Sequence, residues 1–218
     1  MILHRLRLNP RHPVTMRHLR LPYQFHGVLM RATSGSMYGE SGNGRTLFRI
    51  EPTNQDEPQT WVDIIFQTDG PLLHPEIFNQ YGEKDKTYQL LSRELSSNLF
   101  WCAEGIDVRF RLQFNPIRRK SITISGKERI NVRPIVIEEE AKNWIVERLE
   151  KSGFSPIDID VQKKNIVRGK GKREVLNSFL AEGLLKIEDS EKVKECIKSG
   201  IGRAKIHGFG LMTLAKSA

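Results

Sequence analysis

IDVRFRLQFNP, residues 106–116, puts Ile106, Val108, Phe110, Leu112 and Phe114 on one side of an extended chain and Asp107, Arg109, Arg111 and Gln113 on the other. A strict period of two marks a strand with one buried and one solvated face. Asn115-Pro116 stops it, because proline brings no ladder donor. The closing RLQFNP echoes RLRLNP at residues 5–10, where residues 2–8 alternate in the same way: Ile2, His4, Leu6 and Leu8 against Leu3, Arg5 and Arg7. The echo is an internal repeat and points to a duplicated unit.

Outward from these two strands, Pro22 opens a helix at a position that tolerates proline. Phe25, Val28, Leu29 and Ala32 then fall at i, i+3, i+4 and i+7, a narrow apolar stripe. Residues 35–44 read as a glycine-rich loop, 46–50 and 61–67 as strands around a polar turn at 52–58, and 71–81 as irregular chain or a short helix. In the second half, residues 138–151 read as a helix with three glutamates at its positive end and Gly153 past its C-terminus. Residues 157–167 and 174–185 read as strands flanking a basic turn at 168–173. Asp189 caps a helix that runs to Ser199 and ends at Gly200, and 209–214 is a last strand. Each half approximates strand, helix, strand, strand, helix, strand. That order predicts an α+β fold of two tandem ferredoxin-like (RRM-like) domains with antiparallel sheets. The expected division is 1–90, a linker over 91–105, and 106–218, with the boundary between Tyr81 and Glu104. The 218 residues give each unit about 100.

Thirty-five basic and 26 acidic side chains leave a net charge of +9, with a pI near 9.7, a balance that favours polyanionic partners. The excess is clustered. No acid precedes Glu40, while Arg5, Arg7, Arg11, Arg17, Arg20 and Arg31 do. Residues 162–173 hold Lys163, Lys164, Arg168, Lys170, Lys172 and Arg173 without an acid. Arg118, Arg119, Lys120, Lys127, Arg129 and Arg133 form a third group, relieved by Glu128. Folding must bring these clusters onto one face if they serve one ligand. Cys102 and Cys196 form no CxxC pair, which argues against a zinc ribbon or disulfide scaffold. No apolar run approaches the ~20 residues of a membrane span, and MILHRLRLNP lacks the pattern of a secretory signal. The expectation is a soluble, cytoplasmic protein that needs no membrane.

Cleavage of an RNA phosphodiester needs no metal when the adjacent 2′-hydroxyl is the nucleophile. The protein then supplies a base, an acid and positive charge, and imidazole titrates in the right range. Of the histidines in the first basic cluster (His4, His12, His18, His26), His26 stands three residues after Tyr23. The two are neighbours on a helix face turned away from the apolar stripe. Residues 200–210, GIGRAKIHGFG, set Gly200, Gly202, Gly208 and Gly210 around Arg203, Lys205 and His207. This is either a loop whose backbone approaches a ligand closely while its cations grip phosphate, or a glycine-rich turn with incidental charge. It follows a helix, so it is neither a Walker loop nor a dinucleotide fingerprint. The run 163–173 reads as a cationic hairpin able to track phosphates. Asp158 and Asp160 have no third converging acid for a magnesium site, no nucleophilic triad stands out, and no segment fits the RRM base-stacking pattern. The chemistry left open is a metal-independent nuclease or a noncatalytic RNA-hairpin-binding protein.

LRLNP (6–10), Pro22-Tyr23-x-x-His26, LFRIEP (47–52), VRFRLQFNP (108–116), ERLEKSGF (147–154) and GIGRAKIHGFGLM (200–212) together resemble the CasE-type CRISPR-associated endoribonucleases, in order and over nearly the whole chain. The resemblance implies binding of a CRISPR repeat stem-loop and metal-free cleavage at the base of the hairpin, with no cofactor. The ends left are a 5′-hydroxyl and a 2′,3′-cyclic phosphate or 3′-phosphate. It implies retention of the mature guide RNA within a type I-E surveillance complex. It implies His26 as the catalytic histidine with Tyr23 beside it. Lys163, Lys164, Arg168, Lys170, Lys172 and Arg173, with Arg118, Arg119, Arg203 and Lys205, are then the expected RNA-binding cations.

Overall fold

β1 (Ile2–Leu8) buries His4, Leu6 and Leu8, the face that the alternation assigns to the core. In the computed structural model, which describes residues 1–33, 46–51, 61–95, 102–124, 127–169 and 175–217, β1 sits inside an antiparallel sheet. The sheet also holds β2 (Leu47–Ile50), β3 (Val62–Thr68) and β4 (Tyr88–Glu94), in the order β2-β3-β1-β4. Leu6 stands opposite Ile64 on one side and Leu90 on the other. Its cationic face is not free: Arg5 and Arg7 both engage the Asp63 carboxylate of β3. Two arginines of the first basic cluster are therefore committed within the fold.

Two helices cross between β1 and β2. α1 (Pro13–Arg20) is absent from the reading of the sequence because it has no apolar stripe and buries only Thr15 and His18. α2 (Pro22–Thr33) buries Pro22, Phe25, Val28, Leu29 and Ala32, each of the larger side chains worth roughly 1.5–3 kcal/mol. Between β3 and β4 the chain makes a 3-10 helix, Pro75–Tyr81, in place of an α-helix. β4 extends the first sheet to Glu94, so residues 91–94, expected in a linker, are strand.

The second sheet has the same topology. β5 (Asp107–Phe114) lies centrally, in the order β10-β5-β9-β8, with β8 (Phe154–Arg168), β9 (Val175–Ile187) and β10 (Met212–Lys216). α3 (Glu138–Lys151) and α4 (Ser190–Ser199) cover one face. Asp189 accepts from the Lys192 amide at 3.0 Å to cap α4. β6 (Ile117–Ile124) and β7 (Lys127–Pro134) add a separate hairpin that the sequence reading does not contain. The last strand begins at Met212, and Phe209 to Leu211 precede it as buried chain. Trp144 of α3 stacks on Phe114 at 5.7 Å and donates from Nε1 to the Ile117 carbonyl at 3.1 Å.

The halves are joined by Arg49, buried on β2. Its Nη1 donates to the carbonyls of Arg111 (2.8 Å) and Leu211 (3.1 Å), its Nη2 to Thr213 Oγ1 (2.9 Å) and its Nε to Glu51 (2.8 Å). Gln67 of β3 donates to the Ile197 carbonyl of α4 at 3.0 Å. Cys102 and Cys196 are free and buried, and burial pushes both thiols up to about 11. The glycine-rich loop at 35–44, the turn at 52–58, and Lys170, Lys172 and Arg173 lie outside the described residues.

Candidate active site

With the stripe of α2 buried, Tyr23 and His26 are left half-buried on the opposite side. The helix runs unbroken through Gly27, where an added Cβ would meet nothing within 4 Å. This face is therefore open. His26 lies 6.3 Å, centroid to centroid, from Phe48 of β2. Burial lowers its pKa first, and the charge of nearby His207 lowers it further. The ring is held toward its neutral form until a negative group arrives.

The glycine-rich segment comes to this face from the second half. After α4 ends at Gly200, a 3-10 turn (Lys205–His207) presents His207, buried, edge-on to Tyr23 at 6.2 Å and 65°. The glycines allow close approach, but to the chain itself. A Cβ on Gly208 (φ +88°) would stand 3.0 Å from Phe48, and one on Gly210 (φ +88°) 2.6 Å from the Ile201 carbonyl. Lys205 Nζ donates to the Ser199 carbonyl at 2.5 Å. That contact ties the turn back to the last residue of α4. Arg203 is exposed and is not among the described residues that line the cleft.

Beside the α2 start lies a cleft of about 1230 Å³, bounded by Arg20, Pro22 and Glu51, by Lys163, Lys164 and Arg168 of β8, and by His207 and Gly208. The first and second basic clusters thus meet here. Among the described residues, none of the third cluster lines the cleft. Arg118 and Arg119 ride on the β6–β7 hairpin, Arg118 paired with Glu140 at 3.3 Å, and neither is among the described residues lining the cleft. Lys163 Nζ donates to the Val136 carbonyl (3.1 Å) and Lys164 Nζ to Gln162 (2.7 Å), exposed contacts that a stronger anion can displace.

Two of the N-terminal histidines serve the core. His4 bonds Ser92 and Thr68 and stacks on Phe66, and His18 Nδ1 lies 2.7 Å from the Tyr81 hydroxyl. Burial pushes each down to about 4. Asp158 and Asp160 are exposed, and among the described residues no group of three or more His, Cys, Asp or Glu could hold a metal ion. No helix among them is long and apolar enough to cross a membrane. In sequence His207 stands with Arg203 and Lys205 among the groups that could grip phosphate, and nothing local pairs it with Tyr23. Its signal was only a histidine amid glycines, since its meeting with Tyr23 depends on how the halves dock.

A family model described as CRISPR associated protein matches residues 1–216. The chain is similar to the CRISPR-associated endoribonuclease Cse3 of Thermus thermophilus, at 29% identity over 231 residues, 99% of this chain and 100% of that protein. It is similar to the CRISPR system Cascade subunit CasE of Escherichia coli, at 28% identity over 120 residues, 51% of this chain and 59% of that one. The solved structure of Thermus thermophilus Cse3 bound to an RNA representing a pre-cleavage complex matches with a TM-score of 0.78 at 26% identity, covering 98% of each chain.

Proposed function

Since the chain belongs to the CRISPR-associated protein family, we propose that it is a metal-independent endoribonuclease that binds the CRISPR repeat stem-loop and cuts precursor CRISPR RNA into guide RNA. The relatives named for endoribonuclease activity and for Cascade support this reading and a place in a type I-E surveillance complex. The cytoplasm is the compartment where that substrate would be met. The observation that carries it is the convergence of Arg20, Lys163, Lys164 and Arg168 on one cleft that His207 also lines, with the Tyr23 ring of the Tyr23–His26 pair against His207.

The cations take the phosphates of the stem, with Lys170, Lys172 and Arg173 continuing the same basic hairpin in sequence. Tyr23 orients the 2′-hydroxyl, which gives its proton to solvent water as its oxygen attacks phosphorus and the bond to the 5′-oxygen breaks. His26 gives its proton to that leaving oxygen. The products are a 2′,3′-cyclic phosphate, open to hydrolysis to a 3′-phosphate, and a 5′-hydroxyl. A lowered pKa suits this acid: its imidazolium is a strong donor, and the bound phosphate supplies the negative charge that protonates it.

The test is single-turnover cleavage of a repeat hairpin in EDTA. Cutting persists in chelator, and His26→Ala slows it by roughly 10²–10⁴-fold with hairpin affinity retained. As pH rises through the His26 titration the rate falls; a rise there would make His26 the base. Binding without cutting by the native protein would leave a noncatalytic hairpin binder, and loss of cutting in EDTA would require a metal.

A further inference from the structure

The inference that follows rests on the ribonuclease reading and adds a residue to it. We propose that His207, supplied by the second half, is the positioning residue of the Tyr23–His26 pair: it orients the Tyr23 ring and couples the glycine-rich loop to the reacting face of α2.

The loop is built to hold this ring in one place. The 3-10 turn is bracketed by two left-handed residues, Ala204 (φ +61°) and Gly208 (φ +88°). An alanine there is strained, and such strain persists where the surroundings over-determine the backbone. The surroundings do so here. The His207 amide donates to the Ala204 carbonyl at 2.8 Å, and Gly208 N donates to the Lys205 carbonyl at 3.1 Å. Lys205 ties back to Ser199, and Gly208 lies so close to Phe48 that no side chain fits without movement. The outcome is an imidazole edge-on to Tyr23, next to the aromatic ring that also neighbours His26.

An aromatic residue without charge would make the same edge contact, so the imidazole adds something a phenyl ring cannot. That addition is electrostatic: the charge of His207 is one of the two causes that depress His26. His207 also lines the cleft bounded by Arg20, Glu51, Lys163, Lys164 and Arg168. Tyr23 and His26 face His207 from α2. Arg49 and Glu51 follow Phe48 on the β2 side, with Arg49 turned toward the Arg111 and Leu211 carbonyls, and Lys205 shares its own turn. A shift in His207 protonation or position therefore reaches the Tyr23–His26 pair directly, through the ring contact with Tyr23 and the charge that acts on His26.

Two variants separate ring from charge. His207→Phe keeps the edge contact and removes the imidazole; His207→Ala removes both. The measurements are the NMR titration of the His26 ring in the free protein, and the pH profile and rate of single-turnover hairpin cleavage with hairpin affinity. In His207→Phe the His26 midpoint moves up, and the cleavage profile moves up with it. His207→Ala slows cleavage on the order of 10–100-fold, the scale of a misplaced reacting group, with affinity within about twofold of the native protein's. Should His207→Phe leave both the His26 titration and the cleavage profile where they were, the proposal is overturned, even in a protein that cuts through His26. If the native protein does not cut at all, the ribonuclease reading fails instead, and the His26 titration alone decides the coupling.

Discussion

The two halves share one strand order and differ in how their crossovers are built. In the second half both crossovers are α-helices with strong local signals, the glutamates at the start of α3 and the Asp189 cap of α4. In the first half the second crossover is a 3-10 helix, and two histidines stand in the sheet and helix core. The half that carries Tyr23 and His26 is thus the less regular one, and the regular half serves it with a fixed loop and a basic strand. On the function proposed above, one strand order serves a reactive unit and a supporting one.

The largest expected effect would break that comparison if it fell on both halves alike. His4 and His18 have folded pKa values near 4, below the 6.5 of an unfolded histidine. The neutral ring is the form that folding favours, so their stabilisation is whole above pH 6.5 and is lost as pH falls toward 4. Over that window each forfeits about 3 kcal/mol. Hydrogen exchange between pH 7 and 4 should show the first sheet opening before the second. A mutant with His4 and His18 both replaced by Gln should be less stable at neutral pH but flatter across the window.

Second in size is the joint. Arg49→Met takes a donor from the Leu211 carbonyl and one from the Arg111 carbonyl, which keeps the Thr213 hydroxyl at 3.4 Å, and leaves Glu51 with only Arg111, at 3.3 Å, among its ion pairs. Removing one partner of a buried pair costs about 3 kcal/mol. Denaturant unfolding should then separate into two transitions, the first half melting earlier. A single transition with an unchanged midpoint would mean that the halves are not coupled through this residue.

What could be read from the sequence follows the same division. α3 was legible to its end residues because its acids and Gly153 are local signals. α2 was legible because its apolar positions keep a helical period. α1 was not: PVTMRHLR buries a threonine and a histidine, and neither registers as core. β4 was hidden because it is an edge strand that exposes Leu91 to Glu94, so its alternation fades after Leu90. The β6–β7 hairpin carries Ile130 and Val132 at its surface, and none of its described side chains is buried, so its alternation marks no core face. For the site, Tyr23 and His26 could be paired from a spacing of three. The cleft could not, because it needs Arg20 and β8 brought together by docking, and His207 needs the same docking to meet Tyr23.

The smallest effect sharpens the comparison by leaving chemistry alone. Asp189 caps α4 through the Lys192 amide, and its ion pair with Lys192 at 2.8 Å is exposed. Such a surface pair adds little, so the cap is what a substitution removes. Asp189→Ala should cost about 1 kcal/mol, seen as a lower denaturant midpoint with an unchanged slope. α4 leads directly into the glycine-rich loop, so a supporting half that acted by general rigidity would pass this loss on to catalysis. If instead the loop is held by its own contacts, Lys205 to Ser199, Gly208 against Phe48 and Gly210 to the Gln113 carbonyl at 2.8 Å, hairpin cleavage by Asp189→Ala stays within about twofold of native at temperatures where the protein is folded. Equal cleavage with lower stability places the support in the loop's contacts. A parallel fall in both would place it in the helix.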